Sequence, residues 1–292
     1  MQPPPTRRRR TDVVVVVVLV GVFVVGLTAY GVVGNYLHRV NVAFDSMQRI
    51  EAVGAYAGRP SPAPDTGPDN YAVFATNGDG TLAAAFVLHL DASRQGVTVI
   101  GVPADMRLPD GSLLASAYGS GPSTATKGLE QLFDAQMSHQ FALNLDECVA
   151  VMHTIGSINV NGTMDANQVQ AYVDAASTPA ELASRLSSVT AATLATFTVL
   201  GSFTDPDRFD NVLAAITPCV AVDATLTSED VQSTLVSIKI NAQNIGWVLA
   251  SDDGTSDSTD AVPAVPTSTL SSALANDDFG PIPLARPAAQ KG

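Results

Sequence analysis

Apolar and polar positions divide the chain into three regimes. Val13 to Val33 is an unbroken apolar run of 21 residues without a charge. At ~1.5 Å rise per residue such a run spans roughly 30 Å, the hydrocarbon thickness of a bilayer. It predicts a transmembrane helix over residues 13–34, because in lipid a helix satisfies its own backbone groups. From Asn35 to Tyr56 the apolar positions (Leu37, Val40, Val42, Phe44, Met47, Ile50) fit a period near 3.6 only loosely, and the spacing predicts a helix continuing out of the membrane. Gly58 to Asn70, GRPSPAPDTGPDN, is rich in turn formers and predicts a linker, so residues 35–69 read as stalk and linker.

Beyond residue 70 the pattern alternates between short apolar runs and helical spacing. Tyr71–Thr76, Leu82–Leu90 and Val97–Val102 are apolar throughout and predict buried strands, the last two joined as a hairpin. Phe141–Leu145, Ile158–Val160 and Ile245–Ala250 add further strands. Helices are predicted at 124–137, 147–155 (stopped by Gly156), 165–176, 179–200, 209–217 and 228–240. In the long one, Leu182, Leu186, Val189, Leu194 and Phe197 form an apolar stripe, with Pro179 and Gly201 as punctuation. Residues 251–268 form a flexible polar insertion, and 269–292 a short helix (270–275) and disordered tail. Interspersed strands and helices, with several strands apolar throughout, predict an α/β domain over 70–250: a central mixed sheet covered by helices on both faces.

Charge orients this plan. Arg7 to Arg10 flank the apolar run within the basic tail 1–12 and keep that side in the cytoplasm, so everything after Gly34 is exported. A cleaved secretory signal is the competing reading. The run exceeds the ~7–15 apolar residues of a signal, and Thr28-Ala29-Tyr30-Gly31 is a poor cleavage site. Either reading exports the domain. The net charge is −13 overall, and about −16 without the tail and anchor, which disfavours nucleic acid as a partner. Outside the membrane Cys148 and Cys219 can pair; two buried thiols remain the alternative, since sequence does not supply their separation. The four histidines are scattered and show no metal-ligand spacing.

The order of motifs goes further. Asn70 to Asp105 (NYAVFATNGDG–TLAAAFVLHLDASRQGVTVIGVPAD) resembles the opening of the LytR-CpsA-Psr domain family, with its Gly-Ser-Asp-Ser-Arg, Ser-Asp-Thr and Pro-Arg-Asp motifs. Leu113 to Gly119 (LLASAYG), Phe141 to Gly156, Met164 to Val173 (MDANQVQAYV) and Leu270 to Asp277 (LSSALAND) are similar to later segments in the same order. The resemblance covers residues 69 to 280 and implies a protein of the family's topology and location. Such proteins transfer glycopolymers from polyprenyl-pyrophosphate lipids to the cell wall, with carboxylates for Mg²⁺ and arginines clamping the pyrophosphate.

Set against those motifs, this chain departs where charge matters. The first motif's Asp falls on Asn77, with Asp79 close by, and the next on Ala83. The Arg of Pro-Arg-Asp falls on Ala104, with Asp105 retained, and two further arginines fall on Asp174 and Ala176. Arg185 remains in its helix, but a second Arg falls on Ser188. Loss of one such donor typically costs ~10²–10³ in rate, and Asp174 would repel a pyrophosphate. The resemblance therefore implies an impaired relative that binds polyprenyl lipid or glycopolymer, or that associates with active relatives. An active Mg²⁺-dependent phosphotransferase using Asp79, Asp105, Arg107 and Arg185, and a purely structural envelope module, stay open beside it. Blander roles for the same residues are a turn former at Asp105, a surface charge at Arg107, a salt-bridged helix residue at Arg185, and core side chains at His89 and Trp247.

Overall fold

A strand that is apolar at every position must be covered on both faces, and Leu82–Leu90 is buried along its whole length. The computed structural model describes residues 33–64, 66–199, 206–237, 239–254 and 262–287. The expected basic tail, the expected membrane span up to residue 32, residues 255–261 of the polar insertion and the tail from 288 lie outside the described residues. Among the described residues no helix is long and apolar enough to cross a membrane.

In chain order the elements begin with helix α1 (Val33–Ser46), strands β1 (Gln48–Ile50), β2 (Asp69–Thr76), β3 (Leu82–Leu90) and β4 (Val97–Pro103), and helices α2 (Leu114–Gly119) and α3 (Pro122–Phe133). They continue with β5 (His139–Asn144), α4 (Val149–Ile155), β6 (Ile158–Asn159), β7 (Thr163–Met164), α5 (Ala166–Asp174), α6 (Pro179–Val199) and α7 (Pro206–Cys219). The last are β8 (Val220–Asp223), α8 (Ser228–Ser237), β9 (Ile245–Ser251), β10 (Ala264–Pro266) and α9 (Thr267–Asn276). Eight strands form one mixed sheet in the order β1-β8-β5-β2-β3-β4-β9-β10. β2, β3 and β4 make an antiparallel meander, including the expected hairpin, while β2 pairs with β5 and β4 with β9 in parallel.

Alternate residues feed two cores. Val73, Phe86, Leu88, Val99 and Trp247 face the core shared with α1 and α4 to α7. Phe74, Val87, Ile100, Val102 and Val248 face the other, with α2, α3 and α9. The mixed sheet covered on both faces is thus the observed architecture.

Helix α6 departs from the amphipathic pattern expected of it. From Leu186 to Thr196 every residue is buried, polar ones included. Most of those hydroxyls bond within the helix: Ser187 to the Ala183 carbonyl (2.7 Å), Thr190 to Leu186 (2.8 Å) and Thr196 to Ala192 (2.9 Å), whereas the buried Thr193 hydroxyl makes no hydrogen bond. A hydroxyl satisfied by its own turn can be buried cheaply, so small polar residues act here as packing surface. The sheet accommodates the helix with Gly101: a Cβ there would lie 2.3 Å from Ser187 Oγ and 3.0 Å from the Ala183 carbonyl oxygen.

The N-terminal segment differs too. The helix expected to reach Tyr56 ends at Ser46, because Gln48–Ile50 joins the sheet edge parallel to β8. Downstream, Arg59 forms a buried ion pair with Glu130 of α3, two nitrogens contacting the carboxylate at 2.8–3.1 Å. Tyr56 and the Met137 amide donate to the same carboxylate (2.8 and 2.9 Å). Burial and that carboxylate push the Tyr56 phenol well up.

Cys148 and Cys219 are disulfide-bonded, their Cα atoms 5.0 Å apart, so the open choice between pair and thiols resolves to the pair. The bond ties the start of α4 to the end of α7. His89 is a satisfied core histidine, as read from sequence: its ring nitrogens meet Asn70 Oδ1 (2.8 Å) and Asp277 Oδ1 (2.7 Å). Trp247 is likewise core.

Two stability outcomes follow. Gly101→Ala should lower unfolding free energy in urea by about 1–3 kcal/mol through overpacking, and adding Ser187→Gly should recover part of it. Replacing both cysteines by alanine should cost about 2–4 kcal/mol in the same measurement.

Candidate functional site

The carboxyl ends of β2, β4 and β5 converge on one cleft of about 850 Å³. Open α/β sheets place ligand sites at such strand ends, because the chain leaves the layer there and the loops part. One wall is the β2–β3 turn with Asn77, Gly78, Asp79 and Thr81, and Asp146 follows just after β5. The opposite wall is the α5–α6 junction, with Asp174, Ala176, Ser177 and Thr178. Leu82, Leu145, Val173 and Leu182 supply apolar lining.

Local chemistry holds each wall in place. The Thr81 amide and hydroxyl donate to Asp79 Oδ1 (3.0 and 2.6 Å), and Asn77 Nδ2 donates to Thr81 Oγ1 (2.8 Å). Gly80 sits at φ 81°, a left-handed conformation that suits glycine. Across the cleft, the Asp165–Gln168 capping box starts α5, and Gln170 donates to Asp174 at 3.0 Å. Helix α6 starts with Thr178 Oγ1 accepting the Glu181 amide (3.1 Å), while Glu181 accepts from the Ser177 amide and hydroxyl (2.7 Å each).

Asp146 enters the wall because residue 78 is glycine: a Cβ there would lie 1.8 Å from its Oδ2. Burial and the neighbouring Glu147 raise its pKa, against a lowering bond from the Gly78 amide. Among the described residues three carboxylates therefore line the cleft, and no Lys, Arg or His does.

The structure separates the residues picked from sequence. Asp79 lines the cleft. Asp105 is exposed just beyond the lining residue Ala104 and is not part of the lining. Arg107 is exposed and donates to the Gly111 carbonyl within its own loop (2.9 Å). Arg185 donates to the Tyr172 carbonyl (2.7 Å) and stacks 5.2 Å from that ring's centroid, joining α5 to α6 away from the cleft. Of Asp79, Asp105 and Arg185, Asp79 alone is among the described residues that line the cleft. By contrast Asn77, Ala83, Ala104, Asp174 and Ala176, the positions where the family motifs carry charge, all line this cleft. Asp146 escaped sequence reading; its only signal was an acidic residue directly after a buried parallel strand.

Mg²⁺ fits this donor set poorly. Asp79 is engaged by Thr81 and Asp174 by Gln170, and among the described residues no group of three or more His, Cys, Asp or Glu is disposed to hold a metal ion. A second hollow, of about 630 Å³ between α1 and α7, is bordered by the Arg39–Asp210 ion pair.

Solved structures share this architecture. The chain is similar to a LytR-Csp2A-Psr enzyme from Actinomyces oris, at 14% identity and TM-score 0.57, over 83% of this chain and 99% of that one. It is similar to TagT bound to LIIa-WTA, at 13% and 0.55, over 77% and 96%. It also resembles B. subtilis TagV, at 14% and 0.51, over 73% and 96%. The LytR-CpsA-Psr fold expected from the motif order is therefore the fold observed. No family model and no curated protein matches the sequence.

The Asp146 carboxyl should titrate, by carbon-detected NMR, above the ordinary aspartate value of 3.8, and Glu147→Gln should bring it down. The sign is that of a raised acid: the native form is favoured below that value and loses this advantage as pH rises through the raised one.

Proposed function

We propose that this chain is a membrane-tethered, extracytoplasmic cell-envelope protein that binds a wall-related glycan or lipid-linked glycopolymer without transferring it. The observation that carries this reading is that, among the described residues, no Lys, Arg or His lines a cleft at positions where the resemblance puts the family's arginines. Phosphoryl chemistry on a pyrophosphate depends on positive charge placed where negative charge develops. Asn77, Ala83, Ala104 and Ala176 supply no positive charge there, and Asp174 adds a negative one.

The tether and the outside location draw support from the apolar run after Arg7 to Arg10. They also agree with the disulfide, since oxidising compartments are where such bonds persist. TagT, a structure of the same fold, is described as bound to LIIa-WTA, which makes a lipid-linked glycopolymer the natural ligand class to test first. Association with an active relative is the partner this reading implies, with the present chain as the non-transferring member. Mg²⁺ has no step in this function.

The test uses the full chain in membranes with a polyprenyl-pyrophosphate-linked donor and Mg²⁺. Phosphate release and transfer should stay at the no-protein background, while the chain sediments with the membrane fraction. Turnover that disappears on Asp105→Ala would overturn the proposal.

A further inference from the structure

Helix α1 begins at Val33, the last residue of the apolar run, and packs directly on α7 and α8. Val40, Phe44 and Met47 bury its inner side. Its outer edge is left uncovered. Val42 is 57% exposed, one of two large apolar side chains so exposed among the described residues, the other being Leu113. Val42 lines the hollow of about 630 Å³ between α1 and α7, together with Arg39, Ala43 and Ser46. Those four positions follow the i, i+3, i+4, i+7 spacing of a helix seam. Asp210, Ala214 and Pro218, each four residues from the next, form the facing stripe on α7.

The groove between these stripes is narrow-sided and its charge cancels. Arg39 pairs with Asp210, and the Ser46 hydroxyl donates to the Ala43 carbonyl of its own helix (2.6 Å). Neither end therefore demands a polar ligand, and Ala43, Leu213 and Ala214 offer apolar surface between them. The exported part as a whole is strongly acidic, so two copies repel over most of their surfaces. Across this groove that repulsion is weakest, because its one Arg and one Asp neutralise each other.

Height above the bilayer selects the occupant. Val42 stands nine residues past Val33, about 13 Å along a helix, above a headgroup layer of roughly 5–8 Å per leaflet. Lipid chains end below that level. Copies anchored in one bilayer stand parallel and at one height, so the seam of α1 meets its own counterpart about a twofold axis along the membrane normal.

We infer that this groove is the contact face of a homodimer, in which α1 of each copy seats between α1 and α7 of the other and each Val42 enters the opposite hollow. This rests on reading Val13 to Val33 as the tether. The seam is 14 residues long, a strip of roughly 20 Å by 10 Å, well below the ~800 Å² per partner of a stable interface. The shared bilayer supplies the missing drive by raising effective concentration.

Cysteine cross-linking of the full chain in native membranes tests it. Cys148 and Cys219, the only cysteines, are buried in their disulfide, so Val42→Cys adds a single reactive thiol. Mild oxidation should give a species of twice the monomer mass on a non-reducing gel. Leu113→Cys, before α2 on the opposite face of the sheet, should stay monomeric. Ala214→Glu places like charges in both grooves and should cut the Val42→Cys dimer about tenfold; Ala214 is exposed, and circular dichroism checks that this variant folds. A monomer at Val42→Cys would overturn the inference, as would capture of a protein of another mass or equal yield from Leu113→Cys. A dimer that withstands Ala214→Glu would do so too, by assigning the contact to the apolar run. If the chain pellets with membranes but fails to cross-link, only this inference falls. If it stays out of the membrane fraction, the tether in the proposed function falls with it.

Discussion

Close contact between helix α6 and the middle of the sheet is the constraint on which the rest of the molecule depends. A helix can lie flat on strands only where side chains between them are small, and here both surfaces comply: Gly101 on β4, Ala183 and Ser187 on the helix. With α6 buried on every side from Leu186 to Thr196, α5 packs beside it, and α7 packs on α1 and α4 in the same core. The start of the helix is fixed by the same contact, and that start is one wall of the cleft. A shift of α6 would move Ser177, Thr178 and Leu182 together.

Three long-range locks hold the periphery to this centre, each by a different physical means. The disulfide closes a loop spanning 71 positions and restrains the helical layer mainly by limiting the unfolded chain. The Arg59–Glu130 pair brings the segment after β1 onto α3. Glu130 is fully buried and Arg59 half-buried, so losing the arginine would strand a buried carboxylate. His89 links β3 to Asp277 at the end of α9, and Asp277, held in a left-handed conformation (φ 51°), also accepts the Ala92 amide at 3.0 Å. The bond from His89 lowers the Asp277 pKa; its stabilisation is present above the ordinary aspartate range and fades as pH falls through the lowered value.

The cleft separates shape from charge. Its shape comes from strand ends and helix starts, features set by backbone packing that tolerate side-chain change. Its charge comes from a few surface side chains that packing does not dictate. A fold can therefore keep a concave site while the chemistry of its lining reverses, and similarity of fold alone says little about what the site does.

Much of this protein could be read from the chain directly. Uniformly apolar β3 and β4 required a sheet covered on both faces. Gly156 and Asp165 marked a helix end and a helix start through their own backbone and side-chain chemistry. Positions 77, 83, 104, 174 and 176 stand out from motif order alone, because motif order survives when residue identity does not; that they line one cleft is visible only in the fold. Other features needed the fold. β1, β8 and β10 are three or four residues long, too short to show a period, and are strands only because an edge was there to pair with. The burial of Ser187, Thr190 and Thr196 is not visible in sequence, since sequence cannot tell a hydroxyl bonded to its own helix from one bonded to water. Arg185 and Asp105 kept their motif identity yet lie outside the cleft lining, whereas Asp146 had no motif and lies within it. Local sequence sets an element's type and its ends. Which side chains share a cleft is decided by how those elements cross, a relation between residues far apart in the chain.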